Sequence, residues 1–113
     1  MDEEERQFLL TAAWVFMRHG RRERARNVCE ALCETDPRDG VAAAALAELL
    51  LADGEAPRAL EVLRAADFPP ELAYAQAVLE TRALKLSGRN GEARARWERY
   101  IESRKGAARQ WVG

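Results

Sequence analysis

Histidine occurs once in the 113 residues, at position 19, and Ser87 and Ser103 are the only serines. So few groups that exchange protons or attack near neutral pH give catalysis little to work with. Neither a glycine-rich phosphate loop nor a nucleophile elbow is present. The chain is therefore not expected to be an enzyme or to hold a cofactor. Cysteine is scarce too. Cys29 and Cys33 stand four apart, and a lone histidine adds no convincing third ligand, so no metal site is expected. Both thiols read as reduced, small apolar residues of a cytoplasmic protein. No apolar run reaches 18 residues, which leaves no transmembrane helix and no direct membrane insertion. The start, Asp2 to Glu5, is acidic where a secretory signal is basic and then apolar. Lysine is rare, 2 against 16 arginines, but the net charge is only −1. Acids interleave with the locally basic run Arg18 to Arg26, so nucleic acid is not an expected partner.

What the chain does have is a period. Gly20, Gly54 and Gly88 stand 34 residues apart, and each precedes an alanine by five: Ala25, Ala59 and Ala93. Glycine accepts a positive φ where one helix must turn back into the next. The alanine suits the point where two helices come closest. Around these anchors repeat one reads Leu9, Ala12, Ala13, Phe16, Cys29 and Pro37. Repeat two reads Ala43, Leu46, Ala47, Leu50 and Leu63, with Pro70 one position early. Repeat three reads Ala77, Glu80, Thr81, Leu84 and Trp97, and its Glu80-Thr81 pair departs most from the pattern. Spacing and residue types are those of the tetratricopeptide (TPR) repeat, one helical hairpin per 34 residues. The expected fold is all-α: three such repeats stacked as a short right-handed α-solenoid with a concave groove. Residues 1–105 form the expected single domain, with repeats at about 5–38, 39–72 and 73–105. Helices are expected at about 3–19, 21–35, 40–53, 55–67, 71–87 and 90–105. The break at Phe68-Pro69-Pro70 follows from proline chemistry. Residues 106–113 are expected as a tail in which Ala107 to Val112, with Trp111, folds back as a partial cap.

The first helix of each hairpin carries the functional expectation. Leu9, Ala12, Ala13 and Phe16 serve its packing face. Gln7, Leu10, Trp14 and Met17 form a second stripe, expected to line the groove. The equivalent positions are Val41, Ala44, Glu48 and Leu51, then Ala75, Val78, Arg82 and Lys85. The floor is thus expected to be apolar at one end and basic at the other, and to take an apolar or amphipathic segment of a protein partner. Trp and Met suit such a contact. Helix one is apolar nearly all round, so two-fold self-association through it is expected when the partner is absent. TPR domains that grip acidic peptides of cytosolic heat-shock chaperones use Lys and Asn on groove positions. Leu10 and Trp14 offer no such charge, so that role is not expected. On the last helix, Arg94, Arg96, Arg99 and Arg104 alternate with Glu92, Glu98 and Glu102, and i, i+4 ion pairs are expected among them.

The run Arg6-Gln7-Phe8-Leu9-Leu10, then Trp14, Gly20 and Arg24-Ala25, resembles the start of the small YscY-type (SctY-type) TPR chaperones of bacterial type III secretion. Ala31-Leu32 before Pro37 continues the likeness, as do Gly88, Glu92-Ala93-Arg94, Trp97, Tyr100 and Glu102. The resemblance spans about residues 5–104. It implies a cytoplasmic chaperone that pairs as a heterodimer with a small early export substrate of the YscX (SctX) type. It further implies that the pair engages the cytosolic ring of the export-gate protein, peripheral to the secretion apparatus. Leu10 and Trp14 are the residues it carries over as partner contacts. The other reading is a TPR scaffold or adaptor subunit of another bacterial envelope complex.

Overall fold

A computed structural model describes residues 1–112, with side chains to residue 110. Six α-helices follow in order: α1 Glu3–Arg18, α2 Arg22–Thr35, α3 Gly40–Ala52, α4 Ala56–Ala65, α5 Ala73–Leu86 and α6 Asn90–Val112. The described residues form no strand; one isolated bridge pairs Asp39 with Asp67. Neighbouring helices pack in sequence, and α3 also lies directly against α5. This is the all-α arrangement of three stacked TPR-like hairpins that the 34-residue period predicts.

The hairpin turns share one construction. Gly20, Gly54 and Gly88 have φ of 71°, 78° and 76°. The amide after each glycine donates to a carbonyl five residues back: Arg21 to Phe16 (2.8 Å), Glu55 to Leu50 (2.8 Å) and Arg89 to Leu84 (2.9 Å). Each glycine amide donates to the carbonyl three residues before it. This Schellman closure satisfies the last carbonyls of the helix and reverses the chain. Ala25, Ala59 and Ala93 are all fully buried, at the close approach predicted for them.

Burial is graded along the stack. Ala42, Ala43, Leu46, Ala47, Leu49, Leu50 and Leu51 are all buried on α3, which is apolar on nearly every side and central. On α1 only Ala13 is buried, with Phe16 packed part-way against the core. Cys29 is fully buried. Burial pushes its thiol up to about 11 and that of Cys33 to about 12, which keeps both thiols protonated and unreactive.

Ion pairs lock the hairpins together. Arg26 on α2 meets Glu55 and Asp53 (2.9 Å) at the α3–α4 turn. Arg58 on α4 holds Glu30 on α2 through both oxygens, at 2.5 and 2.6 Å. The basic run Arg18 to Arg26 is thus partly spent inside the fold. Arg6 on α1 reaches Asp39 at 2.6 Å, and Asp39 also caps α3 by accepting from the Ala42 amide. The Arg6 guanidinium holds the Asp39 carboxyl below its ordinary value, and Arg58 does the same for Glu30. Both groups are depressed in the folded state, so the unfolded chain protonates first. Their stabilisation is complete above about pH 4.5 and is lost as pH falls through the folded values. Asp39→Asn keeps the cap but not the charge. Its melting temperature should lie below wild type at pH 7, and the gap should narrow as pH falls below the ordinary carboxylate range. A gap unchanged with pH would refute this.

Three expectations are corrected. The α4–α5 connection is longer than read. α4 ends at Ala65 because Asp67 is held extended, its amide donating to the Arg38 carbonyl at 2.9 Å; a single 3-10 turn, Pro70–Leu72, precedes α5. The residues expected as a tail after 105 instead continue α6 to Val112, so they do not fold back. Gly106 costs the helix about 1 kcal/mol but does not end it, and Ala107, Ala108, Arg109 and Gln110 after it are good helix formers. The Trp111 side chain lies outside the described residues. The i, i+4 pairs expected on α6 do not form among the described residues. Arg96 turns to Glu80 on α5 instead, and Glu92 pairs with Arg89.

Gly40 is a residue whose role the period does not reveal. It is buried at the first turn of α3. A Cβ there would stand 2.5 Å from the Asp67 carbonyl oxygen and 3.2 Å from Phe68. Gly40→Ala should therefore push α3 from the α4–α5 connection and cost about 1–3 kcal/mol. Gly91→Ala, with open space around it, serves as the control and should hold or raise stability. Thermal melts decide; equal curves for Gly40→Ala and wild type would overturn the packing argument.

Candidate partner-binding groove

The first helices of the three hairpins, α1, α3 and α5, carry the predicted groove residues. Gln7, Leu10, Trp14 and Val41 come together. With Arg6 and Thr11 they line a cleft of about 290 Å³ between α1 and α3. Trp14 is 57% exposed and Val41 41%, large apolar area left in water. The Arg18 guanidinium, one turn further along α1, lies 4.8 Å from the Trp14 ring centre. A cation–π contact of this kind orients the indole and contributes about 0.5–1 kcal/mol at an exposed site. The i, i+4 spacing of Trp14 and Arg18 is the signal that could have found it. Gln7 donates to Glu3 on its own helix at 3.0 Å, which fixes its side chain at the acidic start of α1.

Met17 and Glu48 line a second, wider space of about 1080 Å³ beside the hairpin turns. It is the wider of the two, and part of its charge is already paired. Arg22 and Arg26 face Asp53 at 3.1 and 2.9 Å. Met17, 37% exposed, is its largest exposed apolar side chain.

Val78 and Arg82 line a third space, about 690 Å³, with Thr81, Lys85, Arg94 and Trp97. The basic end expected from Arg82 and Lys85 is therefore extended by Arg94 and Trp97 of α6. Trp97 holds a repeat position on α6, on an apolar strip with Tyr100 and Ile101 that the sequence sets against the preceding helix. It stays only half-buried, and an edge contact with Tyr74 (6.4 Å) and a tilted one with Tyr100 (5.4 Å) hold its ring. Between the ends, Arg82 approaches Glu48 at 3.9 Å across α3 and α5. Both side chains are exposed and the pair is loose, so it holds neither tightly.

Three predicted floor residues contribute less. Ala44 is half-buried against the core and Ala75 is half-buried on α5. Leu51 is 6% exposed and sits in the core cluster. Its placement on the groove surface is corrected: α3 is central, and neighbours cover even its groove side.

Residues 6–49 match the model of the tetratricopeptide repeat family. The match covers the first hairpin and most of α3, the part of the chain that holds the Trp14 cleft. No curated protein matches the chain. The match spans less than half of the chain; together with the three hairpins it marks an all-α helical-repeat fold that contains a TPR-like segment. Repeats of this class act as protein-binding scaffolds through such grooves. No described helix is long and apolar enough to cross a membrane, and no described group of His, Cys, Asp or Glu is arranged to hold a metal ion.

Proposed function

We propose that this protein is a non-enzymatic chaperone that holds a short amphipathic segment of a protein client in its groove. The carrying observation is the α1–α3 cleft, where Trp14 and Val41 leave large apolar area exposed beside Leu10. A Trp with an apolar neighbour at the edge of a cleft is the usual anchor for a partner side chain. The two ends of the groove differ in character, apolar near α1 and basic near Arg82, Lys85 and Arg94. A client helix with apolar anchors at one end and acidic residues at the other fits that order.

The finer reading rests on the Gln-Phe-Leu-Leu…Trp segment. Its resemblance to YscY-type chaperones supports a small early type III export substrate, YscX-like, as the client. Delivery to the cytosolic ring of the export gate follows from the same resemblance. Affinity purification from the native host, with mass spectrometry of the eluate, tests it. One small protein in stoichiometric amount, lost from the Trp14→Glu variant, is expected. A preparation with no stoichiometric partner, or a partner retained by Trp14→Glu, would sink the proposal.

A further inference from the structure

The repeat register exposes a second surface on α1, distinct from the groove. Val15, Leu49 and Ala83 occupy one repeat position, on α1, α3 and α5. Leu49 and Ala83 are 3% and 0% exposed, whereas Val15 is 40% exposed. Phe8 and Ala42 share another position; Ala42 is fully buried and Phe8 is 72% exposed. The difference has a simple cause. The second helix of the preceding hairpin covers this face of its successor, α2 on α3 and α4 on α5. Among the described residues no helix covers it on α1. Phe8 and Val15 are two turns apart and share one stripe, rotated away from Leu10, Trp14 and Met17.

We infer that a second copy of this chain covers the Phe8–Val15 face, with the two α1 helices antiparallel about a two-fold axis. Charge selects this occupant. α1 begins with Glu4 and Glu5 and ends with Arg18, and none of these three has an ion-pair partner among the described residues. An antiparallel pair centred between Thr11 and Ala12 sets Phe8 against Val15 of the second copy. The same register sets Glu4 and Glu5 against His19 and Arg18 of that copy. A parallel pair would oppose like charges at both ends. An isologous contact of this kind buries the same stripe on both copies and closes on itself. Phe8 and Val15 lie on a face turned away from the Trp14 cleft, so Phe8→Glu tests the pairing apart from the groove reading, whereas Arg18 also touches the Trp14 ring. α1 is about 24 Å long, so the contact is small and the dimer weak.

Sedimentation of the purified chain alone tests this. Wild type should pass from monomer to dimer below about 0.5 mM, a range suited to a small interface. Phe8→Glu should raise the midpoint at least tenfold, by about 1.4 kcal/mol or more, while circular dichroism stays that of wild type. The decisive arm uses two charge variants. Glu4→Arg with Glu5→Arg in one chain, and Arg18→Glu in another, should each be monomeric alone and should form a heterodimer when mixed. Mixing restores both charge contacts of the antiparallel register, and dimerisation of the wild type itself excludes a parallel pair, in which like charges would meet. A wild-type monomer throughout the range, a dimer indifferent to Phe8→Glu, or no heterodimer on mixing would each overturn the inference.

Discussion

Trp14→Glu should leave the helical content of the free chain near wild type and abolish binding of the groove partner. The indole is 57% exposed and the packing face of α1 is carried by Ala13, Leu9 and Phe16. Its replacement therefore removes little from the folded core. In the complex the same position is enclosed by the partner, and an unpaired carboxylate there is costly. Loss of a central tryptophan anchor alone typically removes 2 kcal/mol or more, about thirtyfold in affinity; burial of the charge adds to it. Arg18 tempers the effect slightly, because it stands close enough to pair with the new Glu. Trp14→Ala separates the two contributions and should weaken binding less. Isothermal titration with the co-purified partner measures both variants. Binding like wild type by Trp14→Glu would place the contact elsewhere. Loss of helicity in that variant alone would make Trp14 part of the fold rather than of the groove.

Glu80→Ala should be among the most damaging single changes to stability. Among the described residues Glu80 is the one charged residue buried in the core, 8% exposed, and it accepts from Arg96 at 2.6 Å. Removing the carboxylate leaves the Arg96 guanidinium, with a side chain only 15% exposed, without its partner. Breaking such a pair costs about 3 kcal/mol or more, a fall of roughly 10 °C in melting temperature for a domain of this size. Replacing both partners with apolar residues of similar volume, Glu80→Leu with Arg96→Met, should recover most of the loss, since neither charge then needs solvation. A single variant as stable as wild type, or a double variant no better than the single, would contradict this account. The cost is read from thermal or urea unfolding.

Glu80 also marks where the sequence is easy to read and where it is not. The hairpin turns were legible from three glycines because each glycine does one local task, a positive φ that few other residues accept. Buried alanines at a fixed offset followed for the same reason. The Glu80-Thr81 departure reads as a weak third repeat, yet Glu80 is partnered by Arg96, sixteen residues later in the chain, while the Thr81 hydroxyl is buried without a partner. A compensation of that kind is a tertiary fact with no local signature. Gly40 belongs to the same class, because its need for a bare Cα comes from the Asp67 carbonyl across the stack. At the site, the stripe Gln7, Leu10 and Trp14 joined Val41 in one cleft as its helical spacing implied. Leu51 did not follow, because burial on α3 depends on what surrounds the helix. Spacing along α3 itself carries no record of that. Arg94 and Trp97 entered the far end of the groove from α6, a helix that spacing on α1, α3 and α5 cannot place.

The graded burial of the stack has a consequence for its motions. α3 is enclosed on nearly every side while α1 contributes one fully buried residue. Opening energies within a fold track such differences. Backbone amides of α3 should exchange with solvent deuterium only when the whole domain opens, whereas α1 can detach and return with the other helices in place. A client seated against Trp14 lends α1 its own binding energy. Occupancy of the groove should therefore appear as slowed exchange along α1, including at amides far from any contact, while α3 scarcely changes.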